Sequence, residues 1–334
     1  MKTMKRTLSL FLALALLCGA LVLPASAAVS NYTAANVLYE LGLFQGVGTS
    51  GSGSPDFAVD KTVTRGEAAV MLVRLLGAEQ EAQSKHYKHG FTDVPSWASD
   101  YIGYVKVKDI TKGVSAKEFG SDMTITSSQF VTLVLRALGY ANVDYKNPFP
   151  TARTVGLTCP SSTTTFTRGD MAVVCYSALF CKLSGKTQTL SQQLLSNGTI
   201  QKAKAFYAGL FNKYDGFNAT MAVEGDFLTN YYPGLSAVSI NQKAIYSTAI
   251  SAAVCEIALV EVKNAADVQK VKNIFQARID AQVGTDDAPG GAWYPASIEG
   301  WKTGSRLVSK GNYVMMVAFP DGADQIVADF NQQF

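Results

Sequence analysis

The stretch Thr64-Arg65-Gly66-Glu67-Ala68-Ala69-Val70-Met71-Leu72-Val73-Arg74-Leu75-Leu76-Gly77 decides how the first half of this chain is read, because it recurs. Residues 126–139 repeat it, opening on Thr126-Ser127-Ser128-Gln129 and keeping Arg136, Leu138 and Gly139 in step with Arg74, Leu76 and Gly77. A third copy begins Thr167-Arg168-Gly169-Asp170 and runs through Met171 to Tyr176. Self-similarity of this kind marks a repeat architecture. Each copy has the same local logic: the Thr hydroxyl accepts from an orphan amide of the first helical turn, and the acid or amide three residues on reaches back. Thr64 with Glu67 and Thr126 with Gln129 are therefore capping boxes, and Gly77 and Gly139 supply the left-handed residue that ends each helix.

Capping does not account for Arg65 and Arg168, which place a cation in the first turn, where the helix dipole disfavours it. That placement points to anion binding; the competing assignment is a solvated surface cation. Upstream of each box lies a shorter unit. Residues 34–43 form an amphipathic helix followed by Gly46 and Gly48, and in the second copy Trp97, Tyr101, Ile102 and Val105 mark a helix face. Phe57 and Phe119 each stand eight residues before the first-turn position. Phe91-Thr92-Asp93-Val94-Pro95 opens the second copy, and Asn147-Pro148-Phe149-Pro150 opens the third.

This arrangement resembles three tandem S-layer homology (SLH) modules, at about residues 30–78, 91–140 and 145–186. The middle copy matches best, except that Ser127 stands where the family motif has Arg; the first lacks the opening Phe-x-Asp, and the third has a shortened front half. The resemblance implies an all-α, three-pronged domain over residues 28–190. Its grooves would bind a secondary polymer of a Gram-positive cell wall, often through an acidic pyruvate ketal. Carried over residue by residue, the implied polysaccharide-binding set is Arg65 and Arg168, with Trp97 and Asp93. A guanidinium at a helix start suits a carboxylate, which it pairs bidentately beside free amides. Ser127 cannot do this, so fewer than three grooves are expected to work. For Trp97 the spacing to Tyr101 and Ile102 fits a core aromatic equally well.

The rest of the composition bounds the partners. The 334 residues are 48% hydrophobic and 16% charged, enough for two cored domains. Residues 1–27 read as a signal peptide: Lys2, Lys5 and Arg6, an apolar run from Leu8 to Leu23, then Ala25-Ser26-Ala27 as the cleavage site. A retained membrane anchor and lipidation at Cys18 are the alternatives. Lys2, Lys5 and Arg6 are three of the 29 basic residues, so their removal leaves 26 against 26 acidic. A neutral chain lacks the basic footprint of nucleic-acid binding. Cys159, Cys175, Cys181 and Cys255 have no zinc-site spacing, and His86 with His89 reads as a solvated loop, so neither a metal nor a cofactor is expected.

Beyond Cys181 the chain turns Ser-, Gln-, Thr- and Gly-rich, and residues 191–214 read as linker and short helix. Residues 215–334 follow the order helix (241–250), strand (254–262), helix (265–281), hairpin (304–308 with 313–319) and closing helix (322–334). That order gives an α+β domain with an antiparallel sheet and flanking helices. Through Tyr231-Tyr232-Pro233-Gly234, Glu256 to Val262 and Lys310 to Val314 it resembles a domain family of unknown function from secreted proteins and lipoproteins of Gram-positive anaerobes. No His follows residue 200, which removes the usual base for a Ser or Cys nucleophile. Glu224 with Asp226, and Asp286 with Asp287, are carboxylate pairs for acid/base chemistry or Ca²⁺, or plain acidic loops. Trp293, on a glycine-bearing loop, suits stacking on a sugar or a partner protein, or a lid over the sheet. The expectation is a noncatalytic protein anchored at the cell surface, with a surface protein as possible partner of its second half. The rival is a wall-modifying hydrolase built on those carboxylates.

Overall fold

The computed structural model describes residues 29–49, 55–160, 165–210, 213–214, 216–250, 252–285, 287–288 and 290–334. The expected signal peptide, and Asp286 of the second carboxylate pair, lie outside them. The chain divides into two compact units, one ending at Ile200 and the other built from residues 201–334.

In the first unit the elements are α1 (Asn31–Glu40), a short ribbon of β1 (Gly48–Thr49) and β2 (Pro55–Asp56), α2 (Arg65–Leu75), α3 (Glu79–Lys85), α4 (Ser99–Val107), α5 (Ser127–Ala137), α6 (Phe149–Val155), α7 (Arg168–Ala178) and α8 (Leu190–Ser196). The three repeat helices α2, α5 and α7 each begin with a complete capping box, Asp170 serving as the acid in the third. Gly77 and Gly139 follow at φ +65° and +91°. At the start of the stretch read as linker a fourth box, Thr189 with Gln192, begins α8, which buries Leu190 and Leu194.

Packing within this unit is cyclic. The front helix of each copy lies not on its own repeat helix but on that of the copy before it: α4 on α2, α6 on α5, and, closing the circle, α1 on α7. The repeat helices α2, α5 and α7 touch pairwise at the centre. Isolated bridges join their entry segments, Thr62 to Thr167 and Thr64 to Thr124.

The second unit contains α9 (Lys202–Leu210), β3 (Thr220–Ala222), α10 (Gly225–Tyr231), β4 (Ile240–Thr248), β5 (Glu256–Val262), α11 (Val268–Val283), α12 (Pro295–Gly304), β6 (Ser305–Lys310), β7 (Tyr313–Ala318) and α13 (Ala323–Gln333). Five antiparallel strands run in the order β3-β4-β5-β7-β6. Both faces are covered. Ile257, Leu259, Met315 and Val317 meet Phe206 of α9 and Phe330 of α13. Ala258, Val260, Val314 and Met316 meet Phe275 of α11 and Trp301 of α12. Burial on two sides turns strand alternation into continuous apolar runs.

Two elements differ from the sequence expectation. Of residues 241–250, expected as a helix, 241–248 belong to strand β4. It lies between β3 and β5, and the pairing demanded by that inner position overrides a pattern in which buried Ala244, Ile245 and Tyr246 follow one another without alternation. Residues 295–303, to which the sequence reading assigned no element, form α12 with Gly304; Pro295 starts it in the first turn, where proline is tolerated.

Beneath α11 lies a buried ion pair that the sequence did not announce. Glu256, 1% exposed, accepts from Arg278 Nε and Nη2 at 2.8 Å each, from the Tyr232 hydroxyl at 2.5 Å and from Ser247 Oγ at 2.7 Å. The guanidinium also lies 3.9 Å from the Tyr231 ring centroid. Four donors satisfy the carboxylate, as a buried charge requires.

Candidate functional site

The cyclic packing explains the misplaced arginines. Arg168 begins α7, and its Nε donates to the Phe57 carbonyl at 3.0 Å and its Nη2 to the Gln45 carbonyl at 3.2 Å, both in the first copy. Its guanidinium lies 5.1 Å from the Phe44 ring centroid. The backbone makes the same crossing: Arg168 and Gly169 amides donate to the carbonyls of Lys61 and Val59. Arg65 repeats this one copy on. Its Nε donates to the Phe119 carbonyl at 2.9 Å, its guanidinium lies 5.0 Å from the Phe119 ring, and the Arg65 and Gly66 amides donate to Met123 and Ser121. Orphan amides and a first-turn cation thus meet backbone carbonyls of the neighbouring copy, which offsets the dipole penalty.

The two arginines differ in access. Arg65 is only 5% exposed. Arg168 is half-buried and lines an open groove of about 340 Å³. All three copies contribute to this groove: Phe44, Glu67 and Arg74 from the first, Trp97 and Tyr101 from the second, Arg168 and Met171 from the third. Burial lowers the Arg168 pKa; Glu67 opposes this and Arg74 adds to it, so the two guanidinium groups repel across the groove. Arg74 is held from the other side by Glu79, at 2.9 Å from its Nε, and that carboxylate also accepts from the Tyr101 hydroxyl at 2.6 Å. Arg168 beside an exposed indole suits an anion carried on a ring, while Arg74 is shared with Glu79 and the Glu67 carboxylate also lines the groove.

Trp97 is 53% exposed, which corrects its core assignment. It lies in the 3₁₀ turn Ser96–Ala98 that precedes α4, so the four-residue spacing to Tyr101 does not carry a common helix face across the change of winding. The indole lies over the first turn of α2: a Cβ at Gly66 would stand 3.1 Å from its Cη2.

Asp93 does not line this groove. Its carboxylate accepts the amides of Phe119 at 2.7 Å, Gly120 at 2.6 Å and Ser121 at 3.3 Å. Burial works against ionisation there, but the three amides outweigh it and hold the carboxyl below its ordinary range. The four residues expected to bind therefore separate: Arg168 and Trp97 share the groove, while Asp93 and Arg65 share the loop at 119–121. Arg74, Glu67 and Tyr101 were missed; Arg74 carried one signal, its match with Arg136 in the repeat.

At the third equivalent position Ser127 is buried, and its hydroxyl finds no hydrogen-bond partner among the described residues. His86 Nδ1 lies 2.9 Å from Asp100, and the His89 ring accepts the Phe91 amide. Among the described residues no group of three His, Cys, Asp or Glu is placed to hold a metal ion.

A family model described as "Domain of unknown function (DUF4358)" matches residues 214–319, in the second unit. Over 93 residues, 27% of this chain, the protein is 37% identical to the middle cell wall protein of Brevibacillus brevis, of which it covers 9%. It is 32% identical over 84 residues (25% of this chain, 19% of the relative) to the cellulosome-anchoring protein of Acetivibrio thermocellus. An endoglucanase of a Bacillus species is 29% identical over 160 residues (44% of this chain, 16% of the relative). The chain spans less than a fifth of each of these relatives. The likenesses to wall and anchoring proteins support a cell-surface protein.

Proposed function

We propose that the protein is exported and held noncovalently at a Gram-positive cell wall by its first unit, read as three degenerate SLH modules, and that its second unit is a noncatalytic interaction domain. The ligand is an acidic secondary wall polymer, pyruvylated or otherwise carboxylated. The observation that carries this reading is the groove in which Arg168, Arg74 and Trp97 arrive from three different copies. The planar Arg168 guanidinium pairs a carboxylate in two places, Arg74 stands across the groove, and the indole offers a face to the sugar. The relatives named for walls and anchoring support the location, and nothing in the second unit is proposed as an active site.

Arg168 and Trp97 are thus assigned direct contact with the polymer, and Arg65 and Asp93 the assembly of the neighbouring copies. The test is sedimentation of the full chain with purified cell wall before and after mild-acid removal of the secondary polymer. Binding to intact wall and its loss on stripped wall is the expected result; equal binding to both would sink the reading.

A further inference from the structure

The second unit displays an indole at a conformational cost. Trp293 is 81% exposed, more than any other large hydrophobic side chain among the described residues, and its backbone φ is +37°. The Tyr294 amide donates to the Ala292 carbonyl across it, closing a γ-turn of the rare positive-φ kind. Such a backbone disfavours a bulky L-residue and persists only where its surroundings over-determine it.

Here they do. On one side the loop is sewn to the end of α11: the Gly291 amide donates to Ala281 at 2.8 Å and the Ala292 amide to Gln282 at 3.2 Å, with the Ala292 side chain buried. A Cβ at Gly290 would lie 2.1 Å from the Gln282 carbonyl oxygen, so only glycine permits that approach. On the other side the Tyr294 carbonyl accepts from Ile298 at 2.9 Å, and Pro295 begins α12. Tyr294 is itself 49% exposed. Two exposed aromatic side chains thus stand side by side in sequence on an anchored backbone.

We infer that Trp293 and Tyr294 form a stacking site for a neutral glycan chain, separate from the arginine-lined groove of the first unit. Two observations select this occupant. Residues 290–296 carry no charged side chain, and the nearest charges in sequence, Asp287 and Glu299, are acidic, so the loop itself offers an anionic polymer no cation. Two aromatic side chains also cover at most about 500 Å², short of the roughly 800 Å² per partner that a specific protein interface uses. A sugar ring is matched in size to an indole face, and its C–H groups meet the negative face of the π-system.

Trp293→Gly tests this directly, because glycine removes the indole and accepts the positive φ without strain. The variant is expected to melt at or above the temperature of the parent. Full-length parent, Trp293→Gly and Arg168→Ala are titrated with cellohexaose and with chitohexaose, by calorimetry and tryptophan fluorescence. The expected result is saturable binding of at least one hexasaccharide by the parent, at least a tenfold loss in Trp293→Gly, and none in Arg168→Ala. Failure of the parent to bind either sugar, or equal binding by Trp293→Gly, overturns the inference. So does sedimentation showing a parent dimer that Trp293→Gly dissolves, which would assign the aromatic pair to self-association. Repeating the wall sedimentation with Trp293→Gly keeps the two readings apart: binding to stripped wall that this variant loses belongs to the aromatic pair, and binding to intact wall that it keeps belongs to the groove of the first unit.

Discussion

Asp93 and Arg65 grip the two sides of one residue: the Asp93 carboxylate takes the Phe119 amide at 2.7 Å, and Arg65 Nε donates to the Phe119 carbonyl at 2.9 Å. The acid comes from the copy that owns the loop and the cation from the copy before it. Asp93 shapes the loop, and Arg65 uses that shape to dock α2. Their effects on stability are therefore coupled. Asp93→Asn and Arg65→Ala should each cost about 1.5–3 kcal/mol, the scale of hydrogen bonds to charged groups, and the double variant less than the sum. Urea melts of the four proteins measure this, and strict additivity would refute the coupling.

The Asp93 contribution has a defined pH dependence. Its folded-state pKa lies below the ordinary carboxylate value, so its stabilisation is complete above the unfolded pKa of about 4 and is lost as pH falls through the folded value. The gap in melting temperature between parent and Asp93→Asn should be full at pH 7 and shrink steadily below pH 4. A gap that widens in acid would contradict the assignment.

Arg65 and Arg168, equivalent in sequence, should separate in experiment. Arg168→Ala is expected to weaken wall binding by about 1.5–3 kcal/mol, roughly ten- to a hundredfold, with the smaller loss of stability. Arg65→Ala should reverse the order. Binding isotherms beside thermal melts decide it, and identical profiles for the two variants would return both to a common role.

For the buried pair, Arg278→Met leaves the Glu256 charge without its main partner and should destabilise by about 3–5 kcal/mol. Adding Glu256→Leu removes the stranded charge, and the double variant should recover part of that loss. Denaturant unfolding of the single and double variants gives the comparison.

Thiol chemistry offers a further check. Burial pushes the Cys159 thiol up to about 11 and those of Cys181 and Cys255 up to about 12, and it raises Cys175 as well. Thiolate is the reacting form. With reduced protein at pH 8, Cys159, the half-buried one, should label slowly with iodoacetamide, and the other three only on unfolding. Fast labelling of Cys175 in the native protein would contradict its place in the core.

The elements legible in the sequence are those specified locally. Thr64 with Glu67, Thr126 with Gln129, and the stops at Gly77 and Gly139 need only neighbours three or four residues away, and all appear as read. What depends on distant partners was not legible. Strand β4 is set by pairing on both sides, and Glu256 and Arg278, 22 residues apart, each look like an ordinary surface charge until α11 is laid on the sheet. The groove was half visible: its arginine and indole were named, but Arg74 is one of several helix positions until the third copy closes over it.

That closure bears on how the chain is made. The bonds from Arg168 to Phe57 and to Gln45 span 111 and 123 residues. Helix α1 is synthesised long before α7, the surface that covers Ala34, Ala35, Val37 and Leu38. Until the third copy arrives, that apolar face has no permanent cover, and slow long-range closure leaves it open to proteases and to other chains. A chain truncated anywhere before Ala178 would lose more than its last repeat: it would leave the first one unfinished as well.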